Sequence, residues 1–335
     1  MAKRRPTIFD VAEHAGVSPT TVSHALNEKG RVDAATRERV RDAAATLGYH
    51  ASPAARGLRT GRTWTIGLML PHAESVAGTE DFFGLDFYLD LAIASAQAAF
   101  GHRHALTLLP DVVTRDELGH FPLDGVIVND PVRGDPRLVA LDDLGVPYVT
   151  VERALDRPEH RRWVAADTVA GTHAALDHLA EAGAKRIALL SWKLSWAWLV
   201  DTEQAYRSWC ETRGREPVII DLGSKNSRQP ELPDLPEGLL RGPGAADGIF
   251  TASDRYAAAA ARAISERGLR VGEDILLACG VDSRFALEHS PPITALYLHP
   301  QRLAEAAVEL MLSADGEPRV FEPELRVRAS SGGPR

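Results

Sequence analysis

Residues 7–49 read TIFDVAEHAGVSPTTVSHALNEKGRVDAATRERVRDAAATLGY. Their spacing predicts three short helices with a tight turn after the first. Ile8, Val11, Ala12 and Ala15 fall at i, i+3, i+4 and i+7, one face of a helix. Thr7 is placed to cap its start. Gly16 ends it, because glycine tolerates the left-handed backbone a tight turn needs. Val17 points back into a small core. Ser18 then caps a second helix, and Pro19 suits its first position, where no backbone N–H is required. That helix, residues 19–26, is expected to bury Val22 and Leu26. Its other face carries Thr20, Thr21, Ser23 and His24, short polar groups that reach phosphates or base edges. A third helix, about 34–47, is expected to bury Val40, Ala44 and Leu47 and to carry Arg37, Arg39 and Arg41. A helix-turn-helix of this layout lays its second helix in the major groove of DNA. A small helical bundle with no DNA role is the plainer alternative, and the turn sequence followed by T-T-V-S-H argues against it.

Length and charge fit a basic head on an acidic body. With 335 residues the chain exceeds one typical domain. At 44% hydrophobic and 25% charged residues it has the composition of a soluble globular protein. Residues 1–62 hold eleven Lys/Arg against six Asp/Glu, a balance of +5, so the remainder carries −13 of the total −8. That asymmetry keeps DNA contact local to the head. No apolar export segment precedes the first helix and no apolar run is long enough to span a membrane, so a cytoplasmic, nucleoid-associated protein is expected. Cys210 and Cys279 have no C-x-x-C spacing and read as reduced, buried thiols.

Beyond residue 63 short apolar runs alternate with helical stretches, as in an α/β fold with parallel sheets. Strands are expected at 64–71, 105–109, 125–128 and 148–151, with a helix at 87–100. A second round starts near Val164. There Asp167 caps a helix through Thr172, Leu176 and Leu179, and strands follow at 186–190, 218–220, 248–250 and 275–279. An alanine-rich helix spans 255–267. Two such rounds predict two similar lobes. Domain boundaries are accordingly placed at 1–51 for the all-α headpiece, 52–62 for a linker and 63–335 for the two-lobed body.

The opening T-I-x-D-V-A, the A-G-V-S-x-x-T-V-S turn and second helix, and the later T-R-x-R-V and L-G-Y closely resemble the headpiece of the LacI/GalR family of bacterial transcription regulators. Residues 50–59, with Pro53, Arg56 and Leu58, resemble that family's hinge helix. Alone, so short a helix is marginal in water and Gly57 weakens it. The resemblance implies that it folds on DNA, with two copies in a widened minor groove and Leu58 as an apolar wedge. Thr7, Ser18, Pro19 and Asn27 from the headpiece, and Ala55 and Arg59 from the hinge, complete the expected DNA-facing set, with Ser18 and Ser23 set for phosphate and Arg59 and Arg62 adding phosphate affinity. The body resembles the family's periplasmic-binding-protein-like effector domain. That implies chain crossings between lobes near Ala165, Ile293 and Glu322, and a small ligand in the interlobe cleft at the carboxyl ends of strands.

Cleft candidates follow from motif positions. Asp282 in C-G-V-D-S matches the family's Gly-aromatic-Asp motif, though Val281 replaces the aromatic. Ser253 and Asp254 match a Phe-x-x-(Asn/Ser)-Asp segment, Asp254 reading rather as a structural cap. Glu152 stands where the family usually has an aspartate. The largest departure is S-W-K-L-S-W-A-W, residues 191–198. Where many members carry an arginine, this chain puts Trp196, Trp198 and Thr202. An indole facing the cleft would stack on a sugar ring or an aromatic ligand. Phe82, Phe83, Phe87 and Tyr88 are candidates for the opposite wall, helix core being equally open to them. His102 and His104 read as a solvated turn with no acidic partner nearby, so no metal and no cofactor is expected. No H-E-x-x-H, G-x-S-x-G, Walker loop or G-x-G-x-x-G is present, which argues against an enzyme. The expectation is a homodimeric, ligand-responsive repressor of a palindromic double-stranded DNA operator, with a carbohydrate as effector. A solute-binding or sugar-modifying protein sharing the same body is the alternative. No leucine heptad tail closes the sequence, so a tetramer built through one is not expected.

Overall fold

A computed structural model describes residues 6–27, 30–49, 62–71, 85–110, 114–193, 195–222, 234–314 and 316–332. The chain divides into two compact units, Met1–Trp64 and Thr65–Arg335.

The first unit holds α1 (Ile8–Ala15), α2 (Pro19–Leu26) and α3 (Ala34–Leu47). Each start is capped as its sequence dictates. Thr7 and Asp10 form a reciprocal capping box, Ser18 accepts the Thr21 amide, and Asp33 accepts that of Thr36. Gly16 closes α1 in the left-handed conformation, at φ 66°. Val11, Ala12, Ala15, Val22, Ala25, Val40, Ala43 and Ala44 form the buried core. Leu26 and Leu47, expected inside, are only half-buried against it, and the smaller Ala25 and Ala43 take the central positions, letting the helices approach closely. Arg39 donates from Nε to the Ala15 carbonyl at 3.2 Å, tying α3 to the end of α1.

The second unit contains two doubly wound sheets. In the first lobe the strands are β1 (Thr65–Met69), β2 (Ala105–Leu109), β3 (Gly125–Asn129), β4 (Tyr148–Val151) and β5 (Trp163–Ala166). They join β11 (Arg319–Phe321) in the order β11-β5-β4-β3-β1-β2. In the second lobe β6 (Ile187–Ser191), β7 (Val218–Asp221), β8 (Gly248–Thr251), β9 (Leu276–Cys279), β10 (Thr294–Tyr297) and β12 (Glu324–Arg326) run β12-β10-β9-β8-β6-β7. Helices α4 (Leu85–Gly101), α5 (Arg115–Gly119), α6 (Pro136–Leu144), α7 (Thr168–Glu181), α8 (Ala197–Thr212), α9 (Asp254–Glu266), α10 (Arg284–Glu288) and α11 (Pro300–Leu312) cover the sheets. The pairings are parallel except that β12 runs antiparallel to β10, so the second sheet is mixed at its edge.

The chain passes between lobes after β5, after β10, and between β11 and β12. The first and last passages fall at the expected residues. The middle one does not lie at Ile293, which is fully buried in the second-lobe core and precedes β10. Chain reversal comes six residues later, where His299 adopts φ 53° and starts α11. That helix inserts Leu303, Val308 and Leu310 into the first-lobe core with Ile66, Leu68, Leu91 and Ile127. Another correction concerns His104: it is buried rather than solvated. Its Nδ1 meets the His102 carbonyl at 2.8 Å and its Nε2 lies 3.4 Å from Asp124, an acid adjacent in space but not in sequence. No group of three or more metal-ligating side chains occurs among the described residues.

One buried cation organises the first lobe. Arg137, 2% exposed, forks onto Asp135 through Nε and Nη2 and donates to the carbonyls of Leu70, Asn129 and Asp130. It therefore ties the end of β1 to the end of β3. Burial pushes the Asp135 carboxyl up, and the Arg137 bonds outweigh it, leaving that acid below its ordinary value. Removing the guanidinium would strand a buried carboxylate and three carbonyls. Arg137→Ala should therefore lose about 3–5 kcal/mol of stability, read as a fall in the urea midpoint; a loss below about 1 kcal/mol would contradict the clamp.

Candidate functional site

Two surfaces carry function-bearing side chains. In the first unit, Thr20, Ser23, His24 and Asn27 follow i, i+3, i+4, i+7 along α2, opposite the buried Val22 and Ala25. Thr20 and His24 are exposed and Ser23 is half-buried. Pro19 starts the helix. Some expected contacts have local duties. The Ser18 hydroxyl takes the Thr21 amide at 3.1 Å and pairs with the Thr21 hydroxyl at 2.9 Å. Thr7 is engaged with Asp10, and the Asn27 amide donates to the Ser23 carbonyl. The side chains of Thr20 and His24 thus stand foremost on this face. The hinge positions Ala55, Leu58 and Arg59 lie outside the described residues, as do Phe82 and Phe83.

In the second unit, acids and indoles gather where strand ends of the two lobes meet. Asp130 follows β3 and Glu152 follows β4. The register pairs Asn129 with Val151, so the two acids lie side by side. Both have left-handed backbones, φ 44° and 77°, which side-chain-bearing residues adopt only when their surroundings enforce it. Asp130 is 5% exposed and Glu152 8%. The Tyr88 hydroxyl donates to Asp130 at 2.6 Å, and the Trp198 indole N–H bonds the same carboxyl from the other lobe. Burial pushes the Asp130 carboxyl up to about 6, against the pull of Tyr88, Arg137 and Trp198. Burial, then the negative charges of Asp130 and Asp201, hold Glu152 well above the ordinary carboxylate range.

The aromatic side comes from the second lobe. Trp192 stands edge-on to Trp196, Trp198 and Tyr256 at centroid distances of 5.0–5.9 Å, while Trp196 stacks on Trp198 at 5.5 Å. Val132 of the first lobe packs on this group. Trp196 precedes α8 and is 4% exposed, yet among the described residues its Nε1 has no hydrogen-bond partner; the buried Ser191 hydroxyl at the end of β6 has none there either. Further contacts among the described residues span the lobes. Arg153 pairs with Asp201 of α8, the Arg133 amide donates to the Ser195 hydroxyl at 3.1 Å, and the Arg284 amide donates to Asp86 at 2.6 Å.

The remaining sequence candidates divide. Trp196, Trp198 and Glu152 come together as described. Phe87 packs against the first-lobe core, edge-on to Tyr88, and it is Tyr88 that reaches Asp130. Asp282 is an ion-pair hub: both its oxygens are engaged, by Arg326 at 2.9 Å and by Arg328 at 2.7 and 2.8 Å. Ser253 stands at the start of α9 with no side-chain cap bond, and Asp254 is buried, accepting the Arg255 amide. Thr202 bonds the Trp198 carbonyl within α8. Asp130, Arg153, Asp201 and Tyr256 were missed by sequence reading. Asp130 carried the same signal as Glu152, an acid closing an apolar strand, V-I-V-N-D.

Comparison with known proteins gives the kinship of the chain. Residues 7–52 match the family model for bacterial regulatory proteins of the lacI family, and residues 176–331 match a periplasmic binding protein-like domain. The chain is 32% identical to the HTH-type transcriptional regulator CelR of Thermobifida fusca, an alignment covering 98% of this chain and 99% of the relative. It is 29% identical to the HTH-type transcriptional repressor PurR of Aliivibrio fischeri strain ATCC 700601 / ES114, over 97% and 98%. A solved complex of CelR with cellobiose matches with a TM-score of 0.67 at 27% identity, over 97% of this chain and all of that one. The lac repressor dimer bound to operator and the anti-inducer ONPF shares the fold, with a TM-score of 0.76 at 21% identity, over 98% and 99%.

The raised Asp130 carboxyl has a consequence for stability. Its folded value, about 6, exceeds the ordinary 3.8, so the unfolded chain loses its proton first as pH rises. Stability contributed by this group is therefore full below about pH 4, falls between about 4 and 6, and stays low above. Asp130→Asn should raise stability at pH 8 by at most about 3 kcal/mol, the gain vanishing near pH 4. Denaturation series at the two pH values measure this, and a pH-independent difference would contradict it.

Proposed function

The chain belongs to the LacI family of bacterial transcriptional regulators, with a DNA-binding headpiece and a ligand-binding body, and we propose that it is a homodimeric repressor released or engaged by a carbohydrate. The observation that carries the reading is the junction of buried acids and indoles at the strand ends of two lobes, in a chain whose headpiece presents Thr20 and His24. Hydroxyl-rich rings suit such a setting: carboxyls accept from sugar hydroxyls and indole faces cover the apolar side of a pyranose. The kinship with CelR, whose solved complex contains cellobiose, supports a carbohydrate. No described helix is long and apolar enough to cross a membrane, in keeping with action on DNA in the cytoplasm.

Dimerisation is supported by an exposed apolar stripe. Leu89, Ile93, Ala96 and Phe100 recur at i, i+4, i+7, i+11 on α4, all exposed, Phe100 to 82%. Leu108 on the edge strand β2 is exposed as well. Patches of this kind mark contact surfaces, and a two-fold pairing through them gives each protomer one half of a palindromic site. Leu58 and Arg59 retain the wedge and phosphate roles that the hinge resemblance assigns them.

Binding to an operator selected from random duplexes tests the reading. Thr20→Ala and His24→Ala should each weaken the specific complex by about 1–3 kcal/mol while leaving non-specific affinity unchanged; equal losses on both DNAs would reject base readout by α2. Ile93→Asp should shift the sedimentation coefficient to that of a monomer and abolish operator binding at the same concentration. A variant that remains dimeric would place the interface elsewhere.

A further inference from the structure

The charge balance of the cleft is uneven among the described residues. Arg137 is spent on Asp135 and on backbone carbonyls, and Arg153 is paired with Asp201. That leaves Asp130 and Glu152, neighbours at the ends of β3 and β4 and both more than nine-tenths buried, without a cation of their own. The Asp130 carboxyl takes its hydrogen bonds from neutral donors, Tyr88 and Trp198, while Arg137 acts on it, and Arg153 on Glu152, only through space. Buried carboxyls in this position either keep a proton or acquire a positive partner. Tyr88 and Trp198 touch Asp130 itself, and Trp192 and Trp196 extend the aromatic group from Trp198, the kind of surface that attracts a desolvated cation. The buried Trp196 Nε1, with no acceptor among the described residues, is an independent donor in the same cluster, suited to a ligand oxygen.

We propose that the cleft selects an effector carrying a protonated amine, an amino sugar or short amino-sugar oligomer, with its ammonium group docked on Asp130 and Glu152 and its ring against the indoles. The inference rests on the carbohydrate reading above and narrows it. The ammonium donates to both carboxyls and so favours their ionised forms over the protonated ones. A ring hydroxyl or ether oxygen accepts from Trp196. A neutral sugar of the same outline fills the site without supplying the missing charge, and an anionic sugar meets two acids; both are disfavoured on the same ground.

The test uses the full chain and three probes sharing one β-1,4-linked skeleton: the glucosamine disaccharide, cellobiose, and N,N′-diacetylchitobiose. Calorimetric titrations near neutral pH should show the glucosamine disaccharide binding roughly ten-fold or more tightly than either neutral probe. Repeating the titration in buffers of different ionisation enthalpy should reveal proton release on binding. Glu152→Gln, an isosteric change, should remove the preference for the amine and reduce that release, its melting curve confirming that it folds. Should cellobiose or N,N′-diacetylchitobiose bind as tightly as the amine or more so, the charge requirement is wrong and the carbohydrate reading stands. Should none of the three bind, both fall. The wild-type ranking alone decides the matter if the variant fails to fold.

Discussion

The functional geometry of the body hangs on a single buried guanidinium. Arg137 has no solvent to hydrate it, so its donors must be satisfied by protein. They are, by one carboxylate and by carbonyls at the ends of two neighbouring strands. Strand ends ordinarily fray, because their outermost carbonyls lack ladder partners. Here those carbonyls are fixed from one side by a planar fork that holds several acceptors at once. The neighbouring Asp130 backbone is thereby held in a left-handed conformation that its side chain disfavours. That conformation turns its carboxyl towards Tyr88 and Trp198.

Two consequences pull against each other in the cleft. The fold supplies Asp130 with hydrogen-bond donors but with no counter-ion of its own, so its ionisation costs stability at neutral pH. Glu152 beside it compounds the cost through like charge. A core selected only for stability would place amides or apolar groups there. Acids kept at such positions are the expected mark of a site whose final partner arrives from solution. Asp282 illustrates the opposite case: its two arginines already meet its charge, and it sits quietly between strand and edge.

Much of this was legible before any coordinates. The capped helices of the headpiece were readable because capping, turn and burial signals all act within a few residues. The alternation of strands and helices was readable for the same reason. What the sequence concealed was long-range. Arg153 and Asp201 are 48 residues apart, and nothing local in either segment announces the pair. Asp124, beside His104 in space, stands on another segment of the sequence, which made a buried histidine look like a solvated turn. Asp282 differs: its motif is legible, but its partners Arg326 and Arg328 lie at the end of β12 and just beyond it, a segment that reaches Asp282 only after the last crossing. The tryptophans were visible as a cluster, whereas their edge-on and stacked arrangement depends on Tyr256 and Val132 from distant segments.

The threefold crossing of the chain sets the order in which the molecule can be completed during synthesis. Helix α11 and strand β11 belong to the first lobe, yet they are encoded within residues 300–321 of a 335-residue chain. The first lobe therefore waits, with α4 lacking its main packing partner, until residues 300–321 have left the ribosome. The headpiece has no such dependence, since its three helices complete their core within the first 49 residues. A nascent chain thus carries a folded DNA-binding head long before it owns a finished body.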